Sequence, residues 1–133
     1  MLVLRNDRSE LRRAAEWIAE VARDEGLPAR LANRLDVCLE EALANVVTYA
    51  FPDGGRHDVV VRCGLSAEWV TLEVEDDGLA FDPLAHPLPA PATRLADAAI
   101  GERGLVLIRH FAEESGYRRE GGRNHLTLKW RRP

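Results

Sequence analysis

Two polar side chains four residues apart, Glu41 and Asn45, offer the most specific chemistry in this sequence. An apolar residue recurs every three to four positions around them, which predicts a helix from near Pro28 to about Ala50. Residues four apart share one helix face. A carboxylate beside a carboxamide suits a magnesium–phosphate site, because the amide oxygen binds a hard cation and the carboxylate can deprotonate a nucleophile. Taken alone, such a pair is more often part of a solvated helix face.

A second candidate is the stretch Asp76-Asp77-Gly78, which ends an apolar, alternating segment. A carboxylate at a buried strand end can accept a hydrogen bond from an exocyclic amine such as that of adenine. A following glycine lets the backbone come close to a flat ring. The alternative is an ordinary Asp-Gly turn.

A third candidate is the stretch Gly101-Glu102-Arg103-Gly104, at the predicted start of a helix. Free backbone N–H groups at a helix start bind anions, and Arg103 adds a positive charge suited to phosphate. The spacing is not that of a P-loop. The alternative is an ordinary helix start that contains glycine.

Composition limits the class of protein. The chain has 133 residues, enough for one domain. Apolar residues make up 46% of the sequence and charged residues 30%, a composition typical of a soluble globular protein. A net charge of -4 gives no reason to expect nucleic acid, and no apolar run approaches a membrane span. Early charged residues argue against a signal peptide. Cys38 and Cys63 are therefore interpreted as reduced core residues of a cytoplasmic protein. The four histidines are scattered and show no metal-ligand spacing.

The apolar patterns predict an order of strand, helix, helix, two strands, a long connection, helix and two strands. The first hairpin is expected to pair 57–65 with 68–75, and the second to begin at Tyr117, after Gly116 closes the last helix. The proline-rich connection is long enough to be a functional lid. The predicted fold class is α+β: a two-layer α/β sandwich with helices on one face of a mixed, mainly antiparallel sheet.

In this order the motifs resemble those of the Bergerat-fold ATPases, and most of all the bacterial anti-sigma-factor serine kinases of partner-switching systems. EALANVVTYAF at 41–51 is similar to that family's E-A-x-x-N-x-x-x-H-A-Y helix. DDGLAFDP at 76–83 is similar to its first glycine box, and GERGLVLIR at 101–109 to its second. RNHLTL at 123–128 is similar to its closing strand. The resemblance implies one ATPase domain over 1–133, with a mobile ATP lid at about 82–103.

The resemblance also implies roles for individual residues. Glu41 would be the general base for the hydroxyl group that receives phosphate. Asn45 would hold Mg²⁺ against the phosphates. Asp76 would bind the adenine amine. Further nucleotide contacts would come from Gly78, Ala80, Phe81, Gly101, Arg103, Gly104, Leu105 and Thr127.

The implied function is a serine/threonine protein kinase that uses ATP and Mg²⁺. Its substrate would be an anti-sigma factor antagonist, and it would otherwise hold a sigma factor or another regulator. A homodimer is expected from the same resemblance. Three residues depart from the family pattern: Tyr49 replaces a His, while Ala80 and Glu102 replace glycines. These departures leave open a module that regulates by binding only. The catalytic domain of a histidine kinase is disfavoured, because the chain shows no upstream dimerising helix with a phospho-acceptor His.

Overall fold

The computed structural model describes residues 1–84 and 108–133. Within these ranges lie two long helices, one short 3-10 helix and five strands. The strands are β1 (Leu2–Arg5), β2 (Asp58–Leu65), β3 (Trp69–Asp76), β4 (Glu114–Glu120) and β5 (Arg123–Arg131), the helices are α1 (Leu11–Asp24) and α2 (Ala29–Tyr49), and the 3-10 helix spans Arg8–Glu10. A helical segment at 108–111 precedes β4.

The start and end of α1 and the start of α2 follow from local sequence. The side chain of Asp7 accepts a hydrogen bond from the Ser9 amide at 3.0 Å, which caps the 3-10 helix that leads into α1. Gly26 adopts a φ of 63° just after α1, the left-handed conformation that commonly ends a helix. Pro28 is the N-cap of α2, where its missing N–H costs little. The predicted limits of the second helix are therefore confirmed to within one residue.

The five strands form one sheet in the order β1-β2-β3-β5-β4, and all four pairings are antiparallel. In β3 every second residue is buried, and Val70, Leu72 and Val74 point to the helices. These side chains pack with Leu35 and Leu39 of α2 in the core cluster. The predicted α+β, two-layer sandwich is confirmed, with both helices on one face of an antiparallel sheet.

The last hairpin corrects one boundary. Gly116 was expected to close a helix, but it lies inside β4, which begins at Glu114. A Cβ on Gly116 would meet no atom within 4 Å, so nothing beside this edge strand requires a glycine. Backbone pairing with β5 extends the strand here, because Glu114 lies opposite Lys129 in the ladder. Tertiary pairing thus overrides the local preference of glycine for a helix end.

Candidate nucleotide-binding site

A cavity opens where the C-terminal half of α2 faces the ends of β3 and β5. It contains about 480 Å³ of space, counting its open mouth. Its walls are mostly apolar, with a few polar side chains at one end, which is the usual character of a small-molecule site. Among the described residues the lining consists of Ala42, Asn45, Val46, Tyr49, Ala50, Val74, Asp76, Phe81, Pro83, Ile108, Tyr117, Asn124 and Leu126.

Asn45 enters this cavity from α2. Its side chain is only 9% exposed, and its amide nitrogen is buried without a hydrogen-bond partner in the described part of the chain. An unpaired buried N–H costs about 1–3 kcal/mol. A group left in this state at the wall of a cavity is suited to a polar ligand that enters it.

Glu41 lies one helical turn before Asn45 and is half-buried. Burial raises the pKa of its carboxyl group, and the neighbouring charge of Glu40 raises that pKa further. A raised pKa makes a carboxylate a better proton acceptor, which suits a general base. Glu41 is not among the residues that line the cavity, so its candidacy rests on its perturbed carboxyl group and on its position one turn from Asn45.

Asp76 is held rigidly at the end of β3. Its Oδ1 accepts hydrogen bonds from the Gly78 amide at 2.8 Å and from Asn124 Nδ2 at 3.0 Å. Within the described residues its Oδ2 accepts no hydrogen bond from another group. The residue is 4% exposed, and the two hydrogen bonds orient its carboxylate in advance, so the remaining oxygen can accept an N–H from a ligand.

Gly78 fits closely against the end of α2. A Cβ built on it would lie 2.5 Å from both the carbonyl oxygen and the Cβ of Ala50, and 2.9 Å from Asp76 Oδ1. The same carbonyl of Ala50 accepts a hydrogen bond from the Leu79 amide at 2.9 Å. The glycine therefore lets the loop after β3 lie directly on the helix end.

Asn124 is the residue that the sequence prediction missed. It lies opposite Asp76 in the β3–β5 ladder. Its Nδ2 donates to Asp76 Oδ1 and to the Leu79 carbonyl at 2.8 Å, and its Oδ1 accepts from the Phe81 amide at 3.3 Å. The sequence did contain an indication of its role. Asn124 has the same strand parity as the buried Leu126 and Leu128, so it is a polar residue at an inward-facing position of an otherwise apolar series.

Two side chains of β4 complete this network. Tyr117 donates its hydroxyl hydrogen to Asn124 Oδ1 at 2.6 Å. Arg119 donates to the same oxygen at 3.1 Å and to the Gly78 carbonyl at 2.7 Å. The edge strand therefore fixes both the amide that orients Asp76 and the loop that contains Gly78.

The remaining predicted contacts are placed differently. Phe81 lines the cavity, but Ala80 is exposed and is not part of the wall. Thr127 lies opposite Glu73 on the other face of the sheet, because it has the opposite strand parity from Leu126. The structure therefore brings Asn45, Asp76 and Phe81 together at the cavity and leaves Thr127 away from it. The predicted contacts at Gly101, Arg103, Gly104 and Leu105, and most of the predicted lid, lie outside the described residues.

The model of the histidine kinase-like ATPase domain family matches residues 4–130. This chain belongs to that family. A relative from Bordetella bronchiseptica, named serine/threonine-protein kinase BtrW, is 37% identical over 115 residues, which cover 86% of this chain and 81% of BtrW.

Two solved structures share the fold of this histidine kinase-like ATPase domain. The Erythrobacter litoralis EL346 blue-light activated histidine kinase matches 77% of the chain at 24% identity, with a TM-score of 0.53. The histidine kinase domain of the same protein matches 92% at 21% identity, with a TM-score of 0.54. The chain spans only 31% and 59% of the lengths of those two solved chains. Among its described residues, no helix is both long and apolar enough to cross a membrane.

The geometry of this histidine kinase-like ATPase domain fits a purine nucleotide. The apolar walls suit a flat base, and Asp76 offers an oriented acceptor for its exocyclic amine. The buried, unpaired amide of Asn45 lies on the same cavity and suits the polar phosphate end. Gly78, which packs against the end of α2, lets the loop after Asp76 take the position that holds this carboxylate at the cavity.

Proposed function

We propose that this ATPase domain is a serine/threonine protein kinase that uses Mg-ATP to phosphorylate a small antagonist protein. It would act in a partner-switching system, and it would otherwise hold a regulator such as a sigma factor. The name of the relative BtrW, a serine/threonine-protein kinase, supports the reaction class. The resemblance to anti-sigma-factor kinases supports the partners.

One observation carries the nucleotide part of this proposal. The buried, unpaired amide of Asn45 and the preoriented carboxylate of Asp76 line one cavity. Asp76 would accept the amine hydrogen of adenine through its Oδ2, while Asn45 would face the triphosphate. A guanine base would present a carbonyl oxygen to Asp76 instead, so the site is expected to prefer adenine.

Glu41 supplies the base for transfer. Its carboxylate would accept the proton of the target serine as the serine oxygen attacks the γ-phosphorus of ATP and ADP leaves. The amide oxygen of Asn45, Oδ1, is the proposed Mg²⁺ ligand, and the ion, when bound, would neutralise phosphate charge. The resemblance implies further nucleotide contacts from Gly101, Arg103, Gly104 and Leu105 at and just after the end of the proposed lid, where Arg103 would pair with phosphate.

Phosphorylation would give the target about two negative charges, enough to release it from an interface that it fits when neutral. The freed kinase surface could then bind the regulator. Homodimerisation and a cytoplasmic location belong to the same proposal. Nucleic acid has no role in it, in keeping with the net charge of -4.

Calorimetric titration with Mg-ADP tests the nucleotide site. Wild-type protein is expected to bind Mg-ADP and to bind Mg-GDP at least tenfold more weakly, and Asp76→Asn is expected to reduce that discrimination. Absence of nucleotide binding at millimolar Mg-ADP would overturn the kinase proposal. It would favour instead the alternative that Glu102 and Ala80 suggest, a module that regulates by binding alone.

Transfer from γ-labelled ATP to a co-purified antagonist tests catalysis. Glu41→Gln is expected to lower the transfer rate by about 10²–10⁴-fold while keeping ADP affinity. Glu40→Gln is the matched control, because Glu40 is the exposed neighbour on the same helix. It should keep full activity and move the pH at which activity rises slightly downward, since Glu40 raises the pKa of Glu41. Equal rates for wild type and Glu41→Gln would refute the assigned base.

A further inference from the structure

The outer face of the sheet carries a second cluster of polar side chains. Glu73 and Glu75 lie on β3, and His125 lies beside them on β5, directly opposite Glu75 in the ladder. One oxygen or nitrogen from each residue lies within 4.8 Å of the others. His125 Nδ1 lies 3.3 Å from Glu75 Oε1 and 3.5 Å from Glu73 Oε1.

The imidazole of His125 lacks a hydrogen bond where one would be expected. The residue is 9% exposed, and its Nδ1 is buried without a hydrogen-bond partner in the described part of the chain. Since both carboxylate oxygens are near enough, they must lie off the direction in which an Nδ1–H would point. The two carboxylate oxygens therefore lie to either side of the Nδ1 lone pair. In this arrangement a metal ion on the lone pair would also be bound by both oxygens.

The distances suit a small divalent ion. Zinc binds imidazole nitrogen at about 2.0–2.1 Å and carboxylate oxygen at about 2.0–2.2 Å in tetrahedral geometry, so neighbouring ligand atoms lie about 3.3–3.5 Å apart. The two separations from His125 Nδ1 are of this size. One imidazole with two carboxylates is also a donor set that first-row transition metals accept.

A side-chain cation already pairs with both carboxylates of the cluster. Arg62 NH1 lies 3.2 Å from Glu73 Oε1 and 3.1 Å from Glu75 Oε1, the same two atoms that flank the histidine. The Arg62 side chain is 44% exposed, so it can turn into solvent when another cation enters. Arg123 holds the other oxygen of Glu75 at 2.6 Å, which leaves Oε1 in position.

We propose that Glu73, Glu75 and His125 form a binding site for Zn²⁺ or a similar divalent transition metal, with Arg62 as the resident cation that the metal displaces. An ion here would join β3 to β5. The next residues along these strands are Asp76 and Asn124, which face the cavity on the other side of the sheet. The proposal does not depend on kinase activity.

Titration of the full, untagged chain with ZnCl₂ by calorimetry tests the site. Wild-type protein is expected to bind one Zn²⁺ per chain. Arg62→Gln is expected to bind on the order of tenfold more tightly, because the competing positive charge is gone. Glu73→Gln and His125→Asn should each weaken binding at least tenfold. Co²⁺ absorption should report a site with nitrogen and oxygen ligands in wild type and not in Glu73→Gln.

His57→Gln is the matched control. His57 also contacts two carboxylates, but it does so through opposite ring nitrogens, at 3.1 Å from Asp77 and 3.0 Å from Asp53, so these groups do not converge on one ion. This variant should bind Zn²⁺ like wild type. Circular dichroism confirms folding of each variant, and the isosteric Glu73→Gln decides the result if His125→Asn does not fold. The proposal is overturned if neither wild type nor Arg62→Gln binds Zn²⁺, or if binding survives Glu73→Gln.

Discussion

Replacing Gly78 by alanine tests the contact between the β3 loop and the end of α2. The added Cβ would lie 2.5 Å from the carbonyl oxygen of Ala50, a backbone atom that cannot rotate away. Relieving this overlap by a backbone shift costs about 1–3 kcal/mol. The shift would also stretch the hydrogen bond from the Leu79 amide to Ala50, now 2.9 Å, which contributes about 0.5–1.5 kcal/mol.

Together these effects predict that Gly78→Ala lowers the free energy of unfolding by about 1.5–4.5 kcal/mol. Urea denaturation followed by far-UV circular dichroism measures this change. The same shift would move the Gly78 amide away from Asp76 Oδ1, at 2.8 Å in the native structure, and so disturb the carboxylate. Affinity for Mg-ADP should therefore fall at least tenfold, or about 1.4 kcal/mol.

Gly64→Ala is the control for the general effect of replacing glycine. Gly64 lies in β2, and a Cβ there would meet only Thr71 Cβ at 3.8 Å, an ordinary contact. This substitution should change stability by less than about 1 kcal/mol, in the stabilising direction. If Gly78→Ala is as stable as Gly64→Ala and binds Mg-ADP like wild type, the proposed close packing at Ala50 is refuted.

Asn124, His57 and Cys38 each allow a further test of the structure. Asn124→Ala should lower the free energy of unfolding by about 2–4 kcal/mol in urea denaturation, because it removes one of the two hydrogen bonds that the buried Asp76 carboxylate accepts, together with the Asn124 bonds to the Leu79 carbonyl and the Phe81 amide. The pKa of His57 is raised above 6.5, first by its hydrogen bond to Asp53, so the charged ring stabilises the fold fully below about pH 6.5. The stability lost in His57→Gln should therefore shrink as pH rises through the raised pKa. Burial raises the pKa of Cys38 to about 12, so iodoacetamide should alkylate it only at the rate at which the protein unfolds.

Each of these three predictions would be refuted by one experimental result. Wild-type stability in Asn124→Ala would show that the network does not hold Asp76. A constant difference between wild type and His57→Gln from about pH 5.5 to about pH 8.5 would show that the charge of His57 is not involved. Alkylation of Cys38 faster than unfolding would show that the thiol is accessible, with Cys63, whose pKa is also raised by burial, as the internal comparison.

The predicted fold was correct where local patterns are strong. The 3.6-residue period of α2 and the alternation of β3 depend only on which side chains must leave water, so they can be recognised in the sequence. The beginning of β4 could not be recognised in this way. Its glycine and charged residues show no alternation, and the strand exists because β5 offers it a partner.

Part of the candidate site could be recognised in the sequence for a related reason. Asn45 lies on a helix face and Asp76 at a strand end, positions that sequence spacing determines. Thr127 was assigned to the pocket by motif alignment alone. Strand parity places it on the other face, where it lies opposite Glu73. A shift of one residue moves a side chain across the sheet, so an alignment must be accurate to one residue to place it.

By itself, the sequence determined the helices, most of the strands and the two polar groups that chemistry favours for a nucleotide. Only the tertiary structure decided which distant side chains meet. Asn124 reaches Asp76 across 48 positions of the chain, and His125 meets Glu73 and Glu75 across the same ladder. Periodicity reports how each segment relates to water, but the partner of a buried polar group is chosen by strand pairing, which no local pattern encodes.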